Sequence, residues 1–149
     1  MLKIEIKNLE KKELNGLIPL CHILGFEGTL KNLESRFFDL INFPAHQVRI
    51  ARDLKSSTLI GFIHFFEAPS LLTCKTIEIG GLAVLPEFRR QGTATKLMLE
   101  VEKWAKNKNC ASIQLATQIM RKESIQFYEE LGFLKEFQTY FMRKNLSLD

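Results

Sequence analysis

The residues whose types and spacing could do chemistry lie between Glu78 and Ala94. The stretch Arg89-Arg90-Gln91-Gly92-Thr93-Ala94 follows an apolar, glycine-containing run that ends at Leu85-Pro86, and it leads into a helical pattern. It reads as the turn between a strand and a helix. A helix start exposes backbone N–H groups that no intrahelical carbonyl reaches, and it carries the positive end of the helix dipole. A glycine at that place lets an anion approach the backbone, because it has no side chain. A phosphate is therefore expected at the amides of Arg90 to Ala94. A P-loop is excluded, since Gly-Lys-Ser/Thr is missing, and a lone Arg89-X-X-Gly92 does not make the spacing of a dinucleotide fingerprint.

Upstream, Gly80-Gly81 inside a strand points to a bulge or a close backbone approach. Glu78 sits between Ile77 and Ile79, where partial burial raises a carboxyl pKa toward that of a useful base. The alternative is a solvent-facing or Lys75-paired glutamate. His22, His46 and His64 show no metal-ligand spacing and read as structural or surface residues; His64 interrupts an apolar run, as a satisfied core histidine would. Cys21, Cys74 and Cys110 are odd in number and widely spaced. They fit neither a disulfide framework nor a zinc site, and reduced, mostly buried thiols are expected. No metal is expected.

Arg89-Arg90-Gln91-Gly92-Thr93-Ala94 resembles the Arg/Gln-X-X-Gly-X-Gly/Ala signature of the GNAT superfamily of acyl-CoA-dependent N-acetyltransferases. Leu82-Ala83-Val84-Leu85-Pro86-Glu87 is similar to that family's fourth strand, and Phe127-Tyr128-Glu129-Glu130-Leu131-Gly132-Phe133 to its second signature. The resemblance covers roughly the C-terminal half; the N-terminal half agrees in pattern. It implies a single N-acetyltransferase domain over 1–149 that binds acetyl-CoA and passes acetyl directly to an acceptor amine. Direct attack is favoured because no Cys or Ser stands in a nucleophile constellation. The alternative is a non-catalytic acyl-CoA-binding sensor or regulatory module. The acceptor, whether small molecule, amino acid or protein, is left open, and a homodimer is plausible from the family.

The resemblance also assigns roles. Arg89, Arg90, Gln91, Gly92, Thr93 and Ala94 would hold the pyrophosphate of the cofactor. Leu82, Ala83 and Val84 would bind the cofactor: the amide of Leu82 would polarise the thioester, and Val84 would pair with the pantetheine arm as though it were an added strand. An alkyl amine, with a pKa of about 10, arrives as ammonium and must lose a proton before it attacks. Glu78 is the candidate base, acting directly or through water, and a water chain without a single base is the alternative. Tyr128 would bind the cofactor end and protonate the leaving thiolate, whose parent thiol has a pKa of about 8.5. Tyr128 also lies at spacing three from Ile125 and Leu131, so a packed stripe is its structural reading. Arg121 and Ser124 depart from the family's frequent Asn and Ala, which puts in doubt the usual hydrogen bond to the pantetheine arm.

These residues need a framework. Leu2 to Ile6 alternates like a half-buried strand, and Leu14, Leu17, Ile18, Cys21 and Leu24 fall at helical spacing, with Pro19 expected to kink or restart that helix and Gly25 and Gly28 to end it. Leu30 to Ile41 continues as a second helix. Val48 and Ile50 begin a hairpin into the apolar central strand Leu59 to Phe66, and Ile77 to Leu85 follows. Ala94, Leu97, Met98, Val101, Trp104 and Ala105 form one helical stripe. A short strand at Ile113 and Leu115, a helix from Arg121 to Leu131 capped by Gly132, and a last strand from Phe137 to Met142 complete the pattern. The expected fold is α/β (α+β): a mixed, mostly antiparallel sheet of six or seven strands flanked by about four helices, changing to a parallel unit after Leu85.

With 149 residues, 46% hydrophobic and 26% charged, the composition is that of one ordinary globular domain. The net charge of +4 suits an anionic cofactor, while the scattered basic residues give no nucleic-acid patch. No apolar run approaches the roughly 20 residues of a membrane span, and Met1 to Glu5 lacks a signal-peptide core, so a cytoplasmic location without membrane contact is expected.

Overall fold

The computed structural model describes residues 1–147 and falls into two compact units, one of Met1–Leu115 and one beginning at Ala116. The first unit is a five-stranded sheet with β1 (Ile4–Asn8), β2 (His46–Asp53), β3 (Leu59–Ala68), β4 (Thr76–Val84) and β5 (Ser112–Gln114) side by side in chain order. Its helices are α1 (Leu14–Ile23), α2 (Leu30–Ile41) and α3 (Thr93–Asn107). The strands from β1 to β4 pair antiparallel, and β5 joins β4 in parallel through the α3 crossover. This is the expected α/β sheet with its change of direction.

Facing residues of an antiparallel ladder share one side of the sheet. Phe62 lies opposite Ile50 and Ala83, and all three belong to the core cluster that Leu14, Leu17, Leu20 and Leu33 of α1 and α2 complete. The opposite side is covered by α3, whose Leu97, Met98, Val101 and Ala105 are buried. Trp104 meets Phe65 edge-on, its indole N–H donates to Glu67 at 3.3 Å, and the Arg49 guanidinium lies over both rings. β3 is therefore buried on both faces, which explains its nearly unbroken apolar run.

Local chemistry sets the boundaries. Gly25, at φ +92°, ends α1: the Phe26 N–H donates to the Cys21 carbonyl at 3.1 Å and the Gly25 N–H to that of His22 at 3.0 Å. Thr29 opens α2 with a reciprocal cap, accepting from the Asn32 N–H while its own N–H donates to Asn32 Oδ1 at 2.8 Å. Pro19 does not restart α1, which runs through it. The carbonyl deprived of its partner belongs to Asn15, which is exposed and open to water, as is Pro19 itself.

The second unit contains α4 (Lys122–Glu130), closed by Gly132 at φ +92° with the Phe133 N–H donating to the Tyr128 carbonyl at 3.0 Å. The expected last strand is absent: residues 137–142 carry no ladder, and Phe137, Tyr140, Phe141 and Met142 stay exposed. Apolar alternation suggests a strand only where a partner supplies hydrogen bonds and burial. The described residues thus hold five strands, not six or seven, and four helices. Cys74 is exposed and Cys21 and Cys110 are half-buried, so the expectation of mostly buried thiols is corrected.

Leu20 joins α1 to the sheet and is 0% exposed, whereas Leu71 is fully exposed. Leu20→Ala should cost about 2–5 kcal/mol in urea unfolding, and Leu71→Ala no more than about 0.5 kcal/mol.

Candidate functional site

The site grows from an interruption in β4. His64 faces Gly81 while the next residue, Phe65, faces Ile79, so Gly80 is the extra residue of a bulge, as the glycine pair suggested. Both glycines sit where a side chain would crowd a neighbour. A Cβ on Gly80 would stand 2.7 Å from His64 Nδ1, and one on Gly81 would stand 3.1 Å from Leu24 Cδ1.

β5 pairs only with Thr76, Ile77 and Glu78. Past Glu78 no strand, among the described residues, covers that edge of β4, although Leu82, Ala83 and Val84 remain paired to β3 on the other edge. The backbone of these three is thus presented along an open strand edge, with Ala83 and Val84 buried and Leu82 half-buried.

β4 ends in a 3₁₀ turn, Pro86–Phe88, and the signature stretch follows. Arg90 at φ +59° and Gly92 at φ +85° both adopt the left-handed region. Arg89 Nε donates to the Val84 carbonyl at 3.0 Å, and Gln91 Nε2 donates to that of Glu87 at 3.2 Å, so both side chains tie the turn to the strand end. Gly92 is the N-cap of α3 and brings no side chain to it. Lys96 N–H reaches the Gly92 carbonyl at 3.0 Å; the amides of Thr93, Ala94 and Thr95 precede that first intrahelical bond. No acidic residue lies in the first turn. Thr93 is 2% exposed and its hydroxyl has no hydrogen-bond partner among the described residues. Bare amides, the positive end of a 15-residue helix and nearby guanidinium groups fit a phosphate.

Glu78 faces Phe66 across the ladder and therefore shares the α1 and α2 side of the sheet with Phe66, His64 and His46. It is half-buried, and its Oε2 accepts from Gln114 Nε2 at 3.1 Å. Lys75 pairs with Glu67 at 3.3 Å. His46 Nδ1 and His64 Nε2 are 3.0 Å apart, and the His46 ring stacks on Phe66 with centroids 4.6 Å apart. Burial, and secondarily the charge of His46, pushes the His64 pKa down to about 4. Sequence reasoning treated these histidines as unrelated. Their matching face parity on two strands of one hairpin was the available signal, but only the register makes them neighbours.

In the second unit, Tyr128 packs edge-on against Phe127 and Phe133, with centroids at 5.2 and 5.4 Å. Burial raises its phenol pKa, with Arg121 acting in the opposite direction. Arg121 is the exposed N-cap of α4 and makes no side-chain cap, and Ser124 is half-buried in the first turn. Among the described residues no group of His, Cys, Asp or Glu could hold a metal ion.

The model of the Acetyltransferase (GNAT) family matches residues 19–133. An aminoglycoside N(6')-acetyltransferase type 1 of Serratia marcescens is 25% identical over 140 residues, covering 89% of this chain and 93% of the relative. A thialysine N-epsilon-acetyltransferase of Mus musculus is 28% identical over 78 residues, 52% of this chain and 46% of that protein. Among solved structures, AAC(6')-Iy in complex with the bisubstrate analogue CoA-S-monomethyl-acetylneamine superposes with a TM-score of 0.83 at 22% identity, covering 97% of this chain and 99% of the other.

The neutral His64 makes stability depend on pH. Its folded pKa of about 4 lies below the ordinary 6.5, so its contribution is complete above the unfolded value and is lost as pH falls toward the folded one. Between pH 7.5 and 4.5 the wild-type protein should lose up to about 3 kcal/mol more unfolding free energy than a His64→Phe variant in urea titrations. An equal loss in both would remove the burial argument.

Proposed function

Because the chain belongs to the Acetyltransferase (GNAT) family and is an acetyl-CoA-dependent N-acetyltransferase, we propose that acetyl-CoA lies along the open edge of β4 with its phosphates on the start of α3. The supporting observation is a continuous backbone track: the bulge at Gly80, the uncovered edge from Leu82 to Val84, and the side-chain-free turn at Gly92 follow one another along the chain. An extended ligand with an anionic end matches that track in order. The amides of Arg90 to Ala94 take the pyrophosphate, helped by Arg89 and Arg90, while Gln91 holds the turn and Thr93 lines it. Leu82, Ala83 and Val84 pair with the pantetheine arm, and the Leu82 amide donates to the thioester carbonyl as negative charge develops there.

Glu78 holds the acceptor as ammonium by charge and takes its proton, directly or through water, and Gln114 orients the carboxylate. Tyr128 protonates the departing thiolate; burial raises its pKa, so the phenol keeps a proton to donate at neutral pH. The attacking nitrogen forms the new N–C bond as the C–S bond breaks, with no acyl-enzyme. The relatives' names, an aminoglycoside acetyltransferase and a thialysine acetyltransferase, support a small-molecule primary amine as acceptor. The family match runs across the division at Leu115, which supports residues 1–149 working as one acetyltransferase domain. The free cysteines support a reducing, cytoplasmic setting, and no helix among the described residues is long and apolar enough to cross a membrane. Exposed Leu30 and Phe38 on α2 support a homodimer, which sedimentation would read directly.

Calorimetry with acetyl-CoA should give saturable one-site binding that Gly92→Glu abolishes, since glutamate there is strained at φ +85° and puts negative charge at the helix start. Ligand at 100 times its dissociation constant should stabilise the wild-type fold by about 2.7 kcal/mol. Intact protein that binds no acetyl-CoA would end the assignment. With thiol release as the assay, Glu78→Gln and Tyr128→Phe should each lower kcat by about 100-fold while the KM for acetyl-CoA stays within a few-fold.

A further inference from the structure

The overall exchange of R–NH3⁺ and acetyl-CoA for R–NH–acetyl and CoA-SH releases one proton. The sulfur leaves with the C–S electron pair and takes up a second amine proton; the first, given up before attack, must reach bulk water. That release takes place at the bulge of β4, on the face bearing Glu78. On the same face a second polar feature begins at the bulge and leads away from it. His64 Nδ1 stands against Gly80, close enough that a Cβ there would force the ring to move, and His64 Nε2 is 3.0 Å from His46 Nδ1. The remaining nitrogen, His46 Nε2, belongs to a half-buried ring that lines a groove of about 260 Å³ with Phe37, Leu40, Ile41, Phe43 and Val48. Four ring nitrogens thus span from the bulge to an open groove.

We propose that the His46–His64 pair is the proton-exit route from the acceptor side of the β4 bulge to the groove between α2 and β2. The inference rests on the amine-acetylating activity. A 3.0 Å contact between two imidazoles requires one N–H donor and one bare nitrogen. In the resting arrangement His64 Nε2–H donates to His46 Nδ1, which leaves His64 Nδ1 bare toward the bulge and a proton on His46 Nε2. A proton arriving at His64 Nδ1, from the ammonium, from Glu78 or from a water between them, releases the one on Nε2 to His46 Nδ1. His46 then gives its Nε2 proton to water in the groove. Every bond formed is matched by one broken, and ring rotation restores the starting tautomers.

Burial keeps the His64 pKa at about 4, so this ring cannot store a charge and conducts only while His46 takes the proton on. The titratable groups around it are consistent with that use. His46 comes from β2 and Glu78 from β4, and Arg52, at the far end of β2, is held by Glu13. The helical layer presents Leu24 at Gly81, while His22 is stacked on Phe26.

The test measures thiol release from acetyl-CoA with neamine, thialysine and a peptide bearing a free N-terminus, in the wild-type protein, His46→Asn, His64→Asn and the double variant. With whichever amine the wild type acetylates fastest, each single variant should lose at least tenfold in kcat at pH 7, and the double variant no more than either single one, because both residues serve one path. The deficit should shrink to about threefold at pH 9.5, where solution supplies more free amine. The KM for acetyl-CoA and the thermal shift it produces should stay unchanged, which separates a lost route from a lost fold. Variants within twofold of wild type at pH 7, a deficit that is the same at every pH, or multiplying losses would overturn the route alone. No thiol release by wild-type protein with any of the three amines would overturn the small-amine reading and the route with it.

Discussion

Past Glu78, β4 is paired on one side only among the described residues, and the rest of the site follows from that. Backbone N–H and C=O groups in a sheet demand partners, and β5 stops after three residues. The crossover through α3 makes this possible: the helix begins three residues after Arg90 and returns the chain to β4 only at Ser112. A longer β5 would complete the sheet and close the edge. Its shortness turns a structural strand into a surface that an extended molecule can complete, with main-chain bonds supplying affinity irrespective of side chains.

The two faces of the sheet are finished differently. On the α3 side Phe65, Trp104, Leu97 and Val101 form an apolar layer, with the Arg49 guanidinium over the aromatic rings. On the other side the core cluster of α1 and α2 ends near Phe62 and Ala83. Beyond it the strands carry Glu78, His64, His46 and Phe66 on a shared face. The polar groups therefore collect on one side, beside the bulge and next to the groove that α2 and β2 line. The two imidazoles, 3.0 Å apart in that partly desolvated place, interact more strongly than they would in water.

Much of this was legible in the sequence because it is local. The strand-turn-helix at Arg89 to Ala94, the Gly80-Gly81 bulge, the α3 stripe from Ala94 to Ala105 and the cap at Gly132 each depend on a few consecutive residues with a distinct conformational or periodic demand. What could not be read depends on partners far along the chain. His46 and His64 are separated by 18 positions and meet only because the β2–β3 register holds. Phe137 to Met142 has the composition of a strand, yet pairing is a property of two segments and cannot be decided from one. Pro19 has the intrinsic cost of a helix breaker, but the exposure of Asn15 makes that cost small. Residue type alone placed the cysteines inside, while the loop that carries Cys74 leaves it outside.

The signature turn itself divides its labour in a way its composition conceals. Arg89 and Gln91 look like anion ligands, yet each spends a side-chain nitrogen on a carbonyl of the preceding strand or turn, at Val84 and Glu87. Those bonds hold a backbone that is otherwise strained, since Arg90 occupies the left-handed region without a glycine's freedom, at a cost of order 1–3 kcal/mol. Gly92, two residues later, takes the same region without that cost. The strain fixes where the amides point before any ligand arrives, so less ordering remains to be done on binding. In this stretch the Arg89 Nε and Gln91 Nε2 bonds provide shape, the glycine provides access, and the main chain, with the guanidinium charges of Arg89 and Arg90 beside it, provides the contacts proposed for the phosphates.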